Sequence, residues 1–252
     1  MRLALLLVPI VCAMVACGSQ HAAAKAAPPQ VRVHAYGSGA GRTWVFQPAG
    51  RPKLIVLYVH GLGDQKETTP LHHRPWLEHL AREGDEVIYP AYETYPGQPQ
   101  AVKHIVQGVA NALPHVATGV PVAAIGYSRG GRLVMDYASV SSVTGLVPGR
   151  IFSVFPAGLM DPLMNLAPLS GHTKVLILAG DHDYTVGTVG ANQLIQQLAV
   201  SGFPYADVHF EKVRSHGFFI ADHLSVLSDE AGARSAYWAR ADRFFAPLVA
   251  KG

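Results

Sequence analysis

A chain of 252 residues with 49% hydrophobic content has enough material for one sizeable apolar core and requires no second domain. The formal net charge is only +3, and the basic residues are scattered among acids rather than gathered in a block, which argues against nucleic acid as a partner. Two cysteines are present, Cys12 and Cys17, and the first falls in a leader, so no internal disulfide is expected.

In chain order, Arg2 is followed by an apolar run from Leu3 to Ala16 that is too short to span a bilayer comfortably. A charged start, a short apolar middle and small residues near the end predict a secretory signal over residues 1–16, absent from the mature protein. The closing Met14-Val15-Ala16-Cys17-Gly18 resembles the lipobox of bacterial lipoproteins, with Met14 where leucine is usual. That resemblance implies an exported protein held to a bacterial membrane by a lipid on Cys17, the alternative being a secreted, soluble one. Residues 17–29 are of low complexity and read as anchor and flexible tether, leaving 30–252 as the folded domain.

From Val31 onward, short β-branched runs alternate with amphipathic stretches, the pattern of a mostly parallel sheet with helices on both faces. Strands are predicted at Val31 to Tyr36, Thr43 to Gln47, Leu54 to Val59, Glu86 to Tyr89, Val120 to Gly126, Ile151 to Phe155, Lys174 to Ala179 and Asp207 to Val213. Helices are predicted from Arg74 to Arg82, with Pro75 in the first turn, and from Gln100 to Leu113, stopped by Pro114. Further helices are expected over Arg132 to Val140, Ala191 to Ser201 and part of the tail from Asp229 to Val249.

Gly126-Tyr127-Ser128-Arg129-Gly130 fits G-x-S-x-G and lies between a buried strand and a helical pattern, where that motif has mechanical meaning. A serine there occupies a sharp turn, and glycines are needed because side chains would strike the neighbouring strand and helix. The N–H groups of the following helix point toward the serine oxygen.

The order of elements and this motif resemble the α/β-hydrolase family over essentially the whole chain from Val31. The resemblance implies an α/β-hydrolase fold and a triad in the order serine, acid, histidine. Gly180-Asp181-His182-Asp183 is similar to the family's acid loop and places the acid at Asp183, with Asp181 and Asp161 as rivals. The base is placed at His216, in the Ser215-His216-Gly217 turn after the last strand, and His223 is its closest competitor, set aside because it falls in an expected helix. The resemblance also implies an oxyanion hole from the backbone N–H groups of Leu62 and Arg129, Leu62 lying in the His60-Gly61-Leu62-Gly63 turn. His60 and Asp64 are expected to shape that turn. Tyr92, Tyr95, Tyr127, Tyr184 and Phe218 fall near strand ends where an acyl pocket would form.

His72-His73 lacks the spacing of a zinc helix, and no nucleotide-binding glycine motif is present, so neither metal nor other cofactor is expected. Only 55 positions separate Ser128 from Asp183, too few for a large cap domain. The expected function is hydrolysis of small-molecule or lipid-like carboxylic esters through an acyl-enzyme. A peptidase or thioesterase on the same triad, and a non-catalytic surface-binding lipoprotein, are the alternatives. The sequence leaves the oligomeric state open.

Overall fold

The computed structural model describes residues 30–63, 68–161, 163–169 and 173–250. The expected leader, Cys17, the tether and Asp64 lie outside the described residues. Eight strands form one sheet in the order β1-β2-β4-β3-β5-β6-β7-β8. They are β1 (Arg32–Tyr36), β2 (Thr43–Gln47), β3 (Leu54–Val59), β4 (Asp85–Pro90), β5 (Val122–Tyr127), β6 (Arg150–Val154), β7 (Lys174–Gly180) and β8 (Val208–Val213). β2 pairs antiparallel with β1 and β4, and every other pairing is parallel. This is the α/β-hydrolase architecture expected from the sequence, without a large cap.

Every residue of β3, β4 and β5 is buried, and β3 and β5 accordingly read as continuous apolar runs rather than alternating ones, while β4 opens with the buried carboxylates Asp85 and Glu86. Their two faces feed two cores. Val56 and Tyr58 pack with Trp76, Leu77 and Leu80 of α1 (Arg74–Arg82) and with Phe245 near the C-terminus. Ile55, Leu57 and Val59 pack on the other face with Ile105 and Val109 of α2 (Ala101–Ala112), Leu133 and Val134 of α3 (Arg129–Val140), and Leu194 of α4 (Val189–Val200).

Two departures from the predicted elements matter. α3 begins directly after Ser128, three residues earlier than the expected start at Arg132, and includes Gly130 and Gly131. Glycine is a poor helix former, so propensity pointed to a later start; close packing against β3 and the end of β6 overrides it. The tail is interrupted: α5 (Ala231–Ala233) passes through a π-helical turn at Arg234–Trp238 into α6 (Ala239–Val249). In that wide turn Ala236, Tyr237 and Trp238 are all buried, which the 100° step of a regular helix makes difficult for three consecutive residues.

Because β3 to β8 run parallel, their carboxyl ends share one edge. That edge receives Gly61 from β3, Glu93 from β4, Ser128 from β5, Asp183 from β7 and the 214–223 connection from β8. Residues distant in the chain are thereby gathered where open α/β sheets place their ligand sites.

Candidate active site

Ser128 has φ 55° and ψ −123°, a backbone conformation that side-chain-bearing residues rarely adopt. It persists because the backbone is held on both sides: Ser128 N–H donates to Val154 O at 3.0 Å, and Ser128 O accepts from Gly131 N–H at 2.9 Å and Ala157 N–H at 3.0 Å. The flanking glycines are required by contact with backbone, not by flexibility. A Cβ on Gly126 would lie 2.2 Å from Gly130 O, and one on Gly130 would lie 2.1 Å from Val59 O and 2.2 Å from His60 O. Gly130→Ala should therefore cost at least about 2 kcal/mol, seen as a Tm fall of roughly 4–8 °C with loss of activity. A variant with unchanged Tm would show that α3 does not press on β3 in this way.

The imidazole that meets Ser128 is His223. Its Nε2 lies 3.0 Å from Ser128 Oγ, and its Nδ1 lies 2.9 Å from Asp183 Oδ2. An ionised carboxylate only accepts, so Nδ1 carries the hydrogen toward Asp183, and Nε2 is left to accept from the Ser128 hydroxyl. Asp183 is fully buried, and its other oxygen, Oδ1, accepts from the Thr185 and Val186 N–H groups at 2.9 and 3.0 Å. Burial alone would raise its pKa; the hydrogen bonds from His223 and from those two N–H groups outweigh it and hold the carboxyl below the ordinary range. The hydroxyl of Tyr127, the residue before the serine, donates to His223 O at 2.9 Å and couples the two segments.

The placement of the base at His216 is corrected by this geometry. His216 exchanges two backbone hydrogen bonds with Phe219, at 2.9 and 3.0 Å, packs its ring on that phenylalanine, and is exposed in the turn seven residues earlier. The expected helix around His223 is a short 3₁₀ turn, His223–Leu227, capped by Asp222, whose side chain accepts from Ser225 N–H at 2.8 Å. That cap was the local signal available in the sequence: an aspartate immediately before the histidine and a serine three residues on, which favours a turn start over a helix interior.

The rival acids have other partners. Asp181 accepts from Ser215 N–H at 3.0 Å, from the Ser215 hydroxyl at 2.6 Å and from His182 at 2.9 Å, stapling the exit of β7 to that of β8. Those hydrogen bonds hold its carboxyl far below the ordinary range. Asp161 pairs with the side chain of Arg129.

The His60–Gly63 turn lies against the serine: a Cβ on Gly61 would stand 3.1 Å from Ser128 Cβ. The turn is fastened by the Tyr92 hydroxyl, which donates to His60 O and Gly61 O at 3.0 and 3.1 Å, and by His60 Nε2, 2.7 Å from Ala91 O. Leu62 is the residue after Gly61 in that turn, and Arg129 opens α3, where first-turn N–H groups lack intrahelical acceptors. Of the aromatic residues expected near an acyl pocket, Tyr92 and Tyr127 are buried in the framework, while Tyr95, Tyr184 and Phe218 are exposed. A cavity of about 480 Å³ borders the Arg129 side chain and is bounded also by Pro99, Val102, Met160, Asp161 and Met164; Ser128 and His223 are not part of its wall. Among the described residues, no group of three or more His, Cys, Asp or Glu side chains is arranged to hold a metal ion, and no helix is long and apolar enough to cross a membrane.

A model of the Dienelactone hydrolase family matches residues 82–249. Several solved structures share the fold. Carboxyl esterase 2 of the mycorrhizal fungus Tuber melanosporum is 16% identical, with a TM-score of 0.65 over 91% of this chain and 90% of that one. Esterase B of Lactobacillus rhamnosis, solved with a tributyrin phosphonate inhibitor, is 15% identical with a TM-score of 0.67 over 91% and 89%. A fungal esterase from Rhizomucor miehei is 17% identical with a TM-score of 0.63 over 89% and 86%. At such identities the likeness is one of fold. No curated protein matches the chain in sequence.

Proposed function

Since this chain belongs to the dienelactone hydrolase family, we propose that it is a serine hydrolase that cleaves small carboxylic esters through an acyl-enzyme. The observation that carries this reading is the unbroken relay from Ser128 Oγ to His223 Nε2 at 3.0 Å and from His223 Nδ1 to Asp183 at 2.9 Å. Ser128 Oγ attacks the ester carbonyl as Nε2 takes its proton. The oxyanion is received by the N–H groups of Leu62 and Arg129, and Asp183 steadies the imidazolium that forms. His223 then gives its proton to the departing alcohol. Water repeats the sequence on the acyl-enzyme and releases the acid. No cofactor is needed.

A fluorophosphonate should label the protein once, and mapping should find the adduct on Ser128; labelling elsewhere, or none, removes the serine from the mechanism. In a matched panel of ester, thioester and amide, the ester should turn over fastest, and preference for the amide would favour a peptidase. For the leader, we propose cleavage before Cys17 and lipidation of its thiol. The intact mass of the mature protein from a bacterial host checks this, and an unmodified N-terminus would mean a secreted, soluble form.

A further inference from the structure

His60 is fully buried, and its side chain has no part in the relay through Ser128, His223 and Asp183. Its Nδ1 lies 2.7 Å from Gly61 O, and its Nε2 lies 2.7 Å from Ala91 O. A backbone carbonyl accepts and never donates, so both contacts are hydrogen bonds only if both ring nitrogens carry hydrogen. In the neutral ring, one of them would set a lone pair against a lone pair at 2.7 Å. Two charge-assisted bonds offset the cost of burying an imidazolium. The ring also stacks on Tyr92 and Tyr89, with centroids 4.2 and 5.4 Å away, and their π faces favour a cation.

The acceptor of the first bond connects His60 to the chemistry. Gly61 O and the Leu62 N–H belong to one peptide group, and in a trans peptide they point in opposite directions. Gly61 O is directed into the framework, where it accepts from His60 Nδ1 and shares the Tyr92 hydroxyl hydrogen with His60 O, at 3.1 and 3.0 Å. The Leu62 N–H therefore faces away from the framework, in a turn where a Cβ on Gly61 would stand 3.1 Å from Ser128 Cβ. Donors at the oxygen end of a peptide polarise its N–H, so the bonds that orient this group also strengthen it as a donor. At the far end of the turn, the Gly63 N–H is bound by the Glu93 carboxyl, which also meets Arg129 at 2.6 Å. Tyr92 itself is held at φ 42°, a conformation bulky residues rarely adopt, and its carbonyl faces His104 Nδ1 at 3.1 Å.

We propose that His60, as a buried imidazolium, and Tyr92 are positioning residues that fix and polarise the Gly61–Leu62 peptide as an oxyanion donor. This rests on the ester-hydrolase reading and gives a part to two side chains that the triad does not use.

The charged ring is tested by nitrogen–proton NMR of the whole protein carrying isotope-labelled histidine. His60, assigned by the signals lost in His60→Gln, should show two ring N–H groups at neutral pH, and a single one overturns the proposal. Tyr92→Phe keeps the ring and removes one donor from Gly61 O. Its kcat for a 4-nitrophenyl ester should fall about tenfold with KM within about twofold, a fraction of the cost of losing a whole oxyanion donor. Affinity for a trifluoromethyl ketone, whose adduct with Ser128 carries the oxyanion, should fall by the same factor, with circular dichroism confirming the fold. A loss confined to KM, a kcat within about twofold of the parent, or an unchanged ketone affinity overturns the proposal. If Tyr92→Phe does not fold, the ring N–H count of the parent decides. A parent that turns over no ester and takes up no ketone on Ser128 overturns the ester-hydrolase reading, whereas an active parent matched by Tyr92→Phe overturns the positioning roles alone.

Discussion

His223→Ala is expected to lower kcat/KM toward a small activated ester by about 10³-fold or more, and Ser128→Ala by a similar factor, while His216→Ala stays within about threefold of the parent. The difference rests on geometry alone: both histidines follow β8, but only His223 presents a ring nitrogen to Ser128 Oγ, at 3.0 Å. His216 is exposed and engaged through its backbone with Phe219. If serine and histidine act as one unit, combining Ser128→Ala with His223→Ala should cost little more than either alone, because removing either partner already removes the nucleophile's activation. Steady-state hydrolysis of a 4-nitrophenyl ester, with circular dichroism to check folding, measures all of these. A His223→Ala variant with near-parental turnover, or a His216→Ala variant that is dead, would return the base to the earlier turn.

Asp183→Asn should reduce kcat by about 10³ to 10⁴-fold with little change in KM. The size follows from how the carboxylate is bonded. Oδ1 already accepts from the Thr185 and Val186 N–H groups, so an asparagine would place its oxygen there and turn its NH₂ toward His223. Two donors cannot face each other, so the imidazole would move its hydrogen to Nε2 and confront Ser128 with a donor where an acceptor is needed. An alanine at the same position leaves the tautomer free and should be no worse, and Asp181→Asn, in the staple to Ser215, should leave kcat far less affected. The folded-state pKa of Asp183 is lowered, so its contribution to stability is complete above the ordinary carboxylate range and lost as pH falls through the lowered value. Acid unfolding of Asp183→Asn should lack that component. Chemical denaturation across the acid range, alongside the kinetics, tests both halves of this expectation.

Periodicity and composition were enough to set out most of this molecule. β2 and β3 run as predicted because β-branched and aromatic runs bounded by glycine, proline and polar residues have few other ways to bury themselves. The elbow at Ser128 was legible for the same local reason: a buried strand, a serine between glycines and a helix following it constrain one another within a dozen residues. Asp183 was singled out only by the likeness of Gly180-Asp181-His182-Asp183 to the acid loop of the α/β-hydrolases, with Asp181 and Asp161 as rivals; its hydrogen bond to His223 sets it apart from both.

The histidine could not be read in that way. His216 and His223 both lie beyond β8, at the same edge of the sheet, and chain distance from Asp183 admits either. Which one arrives depends on the path of the 214–222 connection, and that path is set by contacts from elsewhere: Asp181 holding Ser215, Ser215 Oγ accepting from Ala221 N–H, and Tyr127 holding His223 O. The role of the Arg129 side chain was equally hidden, because its partners Glu93 and Asp161 are 36 and 32 residues away on different loops. The sheet and the elbow follow from local pattern and burial, and both were legible in the chain before any coordinates. Which imidazole meets Ser128, and which carboxylates hold Arg129, emerged only from the fold, because a loop's trajectory is selected by long-range hydrogen bonds that leave no periodic trace in the chain.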